Sequence, residues 1–187
     1  MRTLLRLTAV IDGILGVVAR IGCVAGLMLV VVIVYDVITR YFGFPKMFGF
    51  NSTQYQEFEY WLHTVLFSLV IGYAYTRQSH VRIDLVRDRL TRRTKYILEV
   101  LGITLLLIPF CLIALNYNLH YVQASYSEGE ISKSVIGLTH IWILKSFLVA
   151  LFGLLLLAAI SQLIKAVAGL RGELPDEMVS GALGGDN

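Results

Sequence analysis

Two histidines in apolar stretches are the residues of this sequence best suited to bind a cofactor. His63 lies near the predicted outer start of the second long apolar stretch, and His120 lies near the outer end of the third. Because haem iron takes axial histidine ligands, two histidines at similar depth on neighbouring helices can hold one haem group. No second pair has matching spacing, since His80 and His140 fall between the stretches. A haem-bearing membrane redox subunit is therefore the alternative function.

Charged residues near the ends of the apolar stretches form a second candidate group. Asp36 and Arg40 are four residues apart, the spacing at which two side chains meet on one face of a helix. Glu57 and Glu59 precede the second stretch, where a carboxylate is favourable at a helix N-terminus or can pair with Arg40. None of these charges falls at mid-stretch, where a proton or ion relay would need one. The leading expectation is a non-enzymatic protein without a cofactor or metal.

The stretches that position these residues are long enough to cross a membrane. The chain has 187 residues, of which 57% are hydrophobic and 16% charged, whereas about 25% charged residues are usual in soluble domains. A bilayer core requires roughly 20 apolar residues per helix. Residues 1–172 are thus predicted to form one all-α membrane domain with four transmembrane helices, followed by a cytoplasmic tail, residues 173–187. The predicted spans are residues 14–38, 58–75, 97–121 and 141–168.

The distribution of basic residues predicts the orientation of these spans. Residues 77–95, between the second and third spans, hold seven arginines and lysines, and both ends of the chain add more on the same side. Since loops rich in lysine and arginine stay in the cytoplasm, both termini are predicted to be cytoplasmic. Aromatic residues such as Trp61 and Trp142 are expected at the opposite, outer interface.

The basic segment between the second and third spans has two interpretations. Val81, Leu85 and Leu90 can share one face of a short amphipathic helix that lies on the inner leaflet. A solvated basic loop that only fixes the orientation explains the same charges, and nucleic-acid binding is not predicted. Pro109, inside the third span, similarly indicates either a kink or a tolerated membrane proline.

The most specific motif of the sequence is GYAYTRQSHVRID at residues 72–84, where the second span runs into the basic segment. With this motif, about residues 14–168 resemble the small membrane subunit, the DctQ-like Q-type component, of tripartite ATP-independent periplasmic (TRAP) transporters. The chain departs from the family at Thr139 and His140, where a proline often follows the glycine, which affects the expected shape of this loop. Weaker matches are TRYFGF at residues 39–44, the acidic pair Glu57 and Glu59, and SEGEISKSVIGL at residues 127–138.

The resemblance implies an accessory subunit of a sodium-coupled transporter that takes up organic acids, of the dicarboxylate or sialic acid type. Its partners would be a large, elevator-type M-type subunit, which it braces, a periplasmic P-type binding protein, and the lipids of a bacterial inner membrane. A stand-alone four-span channel is a further alternative. Candidate subunit contacts are Arg40, Glu57 and Glu59 on the outer side and His80, Arg82 and Asp84 on the inner side.

Overall fold

Four long helices make up most of the part of the chain that the structure describes. The computed structural model describes residues 2–79, 89–134, 136–175 and the single positions 179 and 182, and this part of the chain contains no strand. Each predicted span lies within one helix, so the all-α prediction is confirmed. The helices are α1, Arg2–Phe42; α2, Ser52–Thr76; α3, Arg92–Ser127; and α4, Ile141–Leu170.

Local side chains explain where α1 ends and where α2 begins. Gly43, just after α1, has φ +70°, a left-handed conformation that glycine adopts without steric conflict. Asn51 caps α2, because its side chain accepts a hydrogen bond from the Gln54 N–H at 2.9 Å and the Gln54 side chain accepts one from the Asn51 N–H at 3.1 Å. α2 therefore starts at Ser52, and Glu57 and Glu59 do not open this helix as the sequence suggested.

A π-helical turn accommodates the proline of α3. The α-helical part Arg92–Gly102 leads into this turn at Ile103–Leu107, and the second α-helical part is Ile108–Ser127. Pro109 lacks a backbone N–H, and in a regular α-helix its ring collides with the carbonyl group four residues earlier. The wider turn just before Pro109 changes the hydrogen-bond register at this point. The proline is thus tolerated within a helix of 36 residues.

α4 is the central helix of the bundle, and successive helices alternate in direction. It packs against α1, α2 and α3, whereas α3 makes no extensive contact with α1 or α2. Asp12, near the start of α1, bonds to Lys165 near the end of α4. Tyr126, at the end of α3, meets Trp142 at the start of α4 with an edge-to-face ring contact. α1 and α3 are therefore antiparallel to α4.

Aromatic and basic side chains distinguish the two ends of the bundle. α2 and α4 begin at the end that holds Trp61 and Trp142, which we call the tryptophan end. α1 and α3 begin at the opposite end, where Arg77 and Arg171 follow α2 and α4, and we call it the arginine end. Trp61 and Trp142 therefore lie at the end of the bundle opposite to Arg77 and Arg171.

Two positions of the C-terminal tail contact the arginine end. Ala182 is buried in a cluster with Tyr96 and Ala166, and Val179 packs against this cluster. The side chain of Gln78 donates a hydrogen bond to the Ala182 carbonyl oxygen at 3.2 Å. At these positions the tail lies on the bundle and does not extend away from it.

Among the described residues, three helices have the length and composition of membrane spans. They cover Thr3–Phe42, Arg92–Ser127 and Ile141–Leu170. α2 is not among them, because Glu57, Glu59 and other polar residues lower the hydropathy of its first half. α1 has 41 residues and is therefore about 60 Å long, roughly twice the apolar thickness of a bilayer. It must extend beyond an apolar core or cross it at a large tilt.

Gly72 allows α2 to approach α4 closely, and a side chain at this position should destabilise the bundle. A Cβ there would lie 2.8 Å from the backbone oxygen of Leu154 and 3.0 Å from the side chain of Leu15. We expect Gly72→Ala to lower the free energy of unfolding by roughly 1–3 kcal/mol, because overpacking displaces a helix backbone. Thermal unfolding of the purified chain in detergent measures this change.

The matched control is Gly153→Ala in α4, where nothing lies within 4 Å of the added Cβ. Alanine raises helix propensity equally at both positions. A loss of stability of the same size in both variants would contradict the close contact at Gly72.

Candidate subunit-contact site

The first polar cluster at the tryptophan end joins α1 to the segment that follows it. The carboxylate of Asp36 accepts hydrogen bonds from Arg40, one turn further along α1, and from Lys46. Lys46 also lies over the ring of Tyr55 in α2, 4.9 Å from the ring centroid. Asp36 is only 3% exposed, and a buried carboxylate requires such cationic partners. The pairing of Asp36 with Arg40 that the sequence predicted is confirmed.

A cleft of about 410 Å³ beside this cluster is lined by Arg40 of α1 and Glu59 of α2. Arg40 keeps half of its side-chain surface exposed, and Glu59 is half-buried. Among the described residues Arg40 pairs with Asp36, and the alternative pairing with a glutamate of α2 is not found. The Asp36 carboxylate repels Glu59, whereas Arg40 and Lys46 attract it. Arg40 and Glu59 therefore share an open cleft without bonding to each other.

Glu57 has a different environment, because it binds the loop between α3 and α4. Its carboxylate accepts hydrogen bonds from the Ser132 hydroxyl and, at 2.5 Å, from the Leu138 N–H. Asn51 supports the same loop by donating to the Ile136 carbonyl oxygen at 3.1 Å. A Cβ at Gly137 would collide with Ser132 and Glu57, so the loop passes close to α2. Glu57 thus holds this loop against α2.

Lys145, in the first turns of α4, forms the second polar cluster at the tryptophan end. It is only 8% exposed, donates a hydrogen bond to Glu130, and lies over the ring of Tyr121, 3.6 Å from its centroid. The hydrogen bond from Lys145 lowers the pKa of Glu130. Glu130 therefore stays ionised to lower pH than an isolated glutamate.

A third polar cluster lies at the arginine end and was not predicted from the sequence. Lys165 of α4 is buried and donates to Asp12 of α1 at 2.5 Å, and Ser161 donates to the same carboxylate at 2.7 Å. Gln162 donates to the Thr76 carbonyl oxygen of α2 at 2.9 Å. These bonds join three helices. In the sequence, Asp12 and Lys165 are seen only as an acidic and a basic residue near the ends of two apolar stretches. This position alone does not indicate that they form an ion pair.

The candidate contacts of the inner side lie outside the described residues. These are His80, Arg82 and Asp84, and the predicted amphipathic helix falls largely in the same segment. Their roles as subunit contacts remain predictions.

The two histidines considered for haem are both exposed. His63 of α2 and His120 of α3 lie on the surface of the bundle, so neither imidazole faces an interior cofactor site. Within the described ranges, no group of three or more metal-ligating side chains is present. The structure thus offers no support for the haem alternative.

Removing the Glu57 carboxylate should loosen the loop between α3 and α4. We expect Glu57→Ala to accelerate amide hydrogen exchange at Leu138 by about 10- to 100-fold, because a hydrogen bond to a charged group contributes roughly 1.5–3 kcal/mol. Hydrogen–deuterium exchange of the purified chain, followed by mass spectrometry, measures this rate. Glu59→Ala is the control, since Glu59 does not bond to the loop; similar exchange at Leu138 in both variants would argue against the Glu57 contact.

Comparison with known proteins identifies the family. A family model described as "Tripartite ATP-independent periplasmic transporters, DctQ component" matches residues 29–169. This range runs from the second half of α1 almost to the end of α4, and it contains the clusters around Asp36, Glu57 and Lys145. No curated protein and no solved structure matches the chain. Because the family match covers well over half of the sequence, the chain belongs to the DctQ component family of TRAP transporters.

Proposed function

We propose that this chain is the small membrane subunit of a sodium-coupled TRAP transporter and that it braces a large elevator-type subunit. The family match over residues 29–169 is the observation that carries this proposal. The family is a transporter component, so the chain acts in a complex with an M-type subunit and a P-type periplasmic binding protein. Those partners bind the organic acid, of the dicarboxylate or sialic acid type.

The packing of the bundle suits a fixed support. At the arginine end Lys165 joins α4 to α1 through Asp12, and at the tryptophan end Lys145 joins α4 to the preceding loop through Glu130. Between these levels Gly72 brings α2 against α4. Association of helices in lipid depends on such close packing and on selected polar contacts. Contacts at both ends oppose sliding of one helix along another, which is the property that a brace requires.

The outer faces of α1 and α3 provide the apolar surface for lipid and for the large subunit. Leu27 and Val31 of α1 are 71% and 67% exposed, and Leu106 of α3 is 72% exposed. At the tryptophan end Arg40 and Glu59 line an open cleft beside α1. They are the candidate polar contacts on this side, whereas Glu57 is already occupied by the loop.

We further propose that α2 is the fourth membrane span and that both termini are cytoplasmic. α2 has 25 residues and is about 38 Å long, which exceeds the apolar thickness of a bilayer. Gly26 of α1 would place a Cβ 3.1 Å from Leu66 in the middle of α2, and Gly72 lies against α4, so α2 runs beside two apolar helices. The basic residues of the segment 77–95 then lie on the cytoplasmic side of a bacterial inner membrane.

Cysteine labelling tests this orientation. In a background with Cys23→Ser and Cys111→Ser, single cysteines are introduced by Lys133→Cys and Ser79→Cys, both exposed positions. A membrane-impermeant maleimide should label the Lys133→Cys variant in intact cells and the Ser79→Cys variant only after lysis. Labelling of the Ser79→Cys variant in intact cells would reverse the proposed orientation.

Reconstitution tests the transport role. Vesicles that contain the large subunit are supplied with the periplasmic binding protein and a sodium gradient. They should take up the organic acid only when this chain is also present in the vesicle membrane. The same preparation should show the two membrane proteins eluting as one complex, with empty vesicles as the background control. Full uptake without this chain would refute an essential role.

A further inference from the structure

A cavity at the tryptophan end lies apart from the proposed subunit contacts of α1. Its volume is about 450 Å³, and it is bounded by α2, α3, α4 and the loop between α3 and α4. Its charged lining consists of two carboxylates and two ammonium groups, and its aromatic lining comes from α2 and α3. The lining residues that matter here are Glu57, Glu130, Lys133, Lys145, Trp61 and Tyr121.

The cavity continues a gap between two helices. α2 and α3 each pack against α4 but make no extensive contact with each other. Leu144 and Leu148 of α4 add apolar surface to the cavity lining. Leu148 lies one turn beyond Leu144, towards the middle of α4. An acyl chain can pack on this surface, because lipid tails are as apolar as leucine side chains.

The charged side chains of the cavity are of both signs and therefore complement a zwitterionic ligand. Glu57 and Glu130 carry negative charge, and Lys133 and Lys145 carry positive charge, so the lining as a whole is neutral. Lys145 has three N–H donors, one of which it gives to Glu130, and its side chain lines the cavity. Lys133 is exposed beside it. A phosphate at this cavity can therefore be bound by lysine, while an ammonium group binds the Glu130 carboxylate or the Trp61 ring.

The position of the loop between α3 and α4 indicates which occupant fits the gap, a lipid or a helix of a partner subunit. Glu57 fixes this loop to α2 through Ser132 and Leu138, and Glu130 fixes it to Lys145 of α4. The loop therefore lies across the tryptophan end of the gap. A partner helix that crossed the membrane in this gap would meet the loop, whereas a phospholipid ends at the level of its headgroup. The observations favour the lipid.

We propose that this cavity binds the headgroup of a zwitterionic phospholipid with a primary ammonium, of the phosphatidylethanolamine type. Its phosphate is held by Lys133 and Lys145, and one acyl chain lies over Leu144 and Leu148. The proposal rests on the chain spanning a membrane as proposed above, and it adds a structural lipid to the complex. This lipid fills the gap between α2 and α3 and so stiffens the bundle.

Native mass spectrometry of the full chain in detergent tests the proposal. Phosphatidylethanolamine, phosphatidylglycerol and water-soluble phosphoethanolamine are added separately. We expect one phosphatidylethanolamine molecule to be retained, with weaker binding of the other two probes. Lys133→Ala should weaken retention about tenfold, the effect of one charge-assisted hydrogen bond. Arg171→Ala, which removes an exposed cation at the arginine end, should leave retention unchanged.

Four outcomes would overturn the proposal. These are no retained lipid, equal binding of phosphatidylglycerol, equal binding of phosphoethanolamine alone, and equal losses in the Lys133→Ala and Arg171→Ala variants. A photo-crosslinker at Tyr60, which also lines the cavity, adds a test in the assembled complex, where crosslinks to the large subunit in place of lipid would likewise overturn it. Because uptake and co-elution with the large subunit are measured separately, failure here leaves the transporter role intact.

Discussion

Two buried lysines of α4 constrain where α1 and the loop between α3 and α4 can pack. Lys145 is 8% exposed and Lys165 is 5% exposed. Transfer of an ammonium group out of water is unfavourable by several kcal/mol, and only a close carboxylate and further hydrogen bonds offset it. Asp12 must therefore meet Lys165, and Glu130 must meet Lys145. Apolar packing cannot select these positions by itself, because lipid tails are as apolar as leucine side chains.

The tryptophan end has a cleft beside α1 and, on the α4 side, a cavity bounded by the loop between α3 and α4. On the α1 side, Asp36 satisfies Arg40 and Lys46, yet half of the Arg40 side chain remains exposed beside a cleft. On the α4 side, Glu57 and Lys145 both hold the loop between α3 and α4. In the proposed complex the cleft beside α1 suits a protein partner, whereas the cavity under the loop suits a small or flexible occupant. The two sides of the tryptophan end thus offer different surfaces to the proposed partners.

Local sequence patterns predicted the helices and one ion pair, but not the contacts between helices. The four apolar stretches each lie within a helix, and the spacing of Asp36 and Arg40 identified their pair. The helix α2 begins at Ser52, six residues before the predicted span 58–75, because the cap formed by Asn51 and Gln54 precedes the apolar residues. Glu57 and Ser132 are 75 positions apart, and Asp12 and Lys165 are 153 apart. Such pairs depend on how helices pack, which no local pattern records.

The spacing of the two lysines has a consequence for the membrane around the protein. They are 20 residues apart on one helix, which corresponds to about 30 Å, the apolar thickness of a typical bilayer. Each lysine is tied to a carboxylate of another element, so α4 cannot change its tilt independently of the rest of the bundle. In the proposed membrane arrangement, a bilayer of different thickness would require the whole bundle to tilt or the adjacent lipids to stretch or compress.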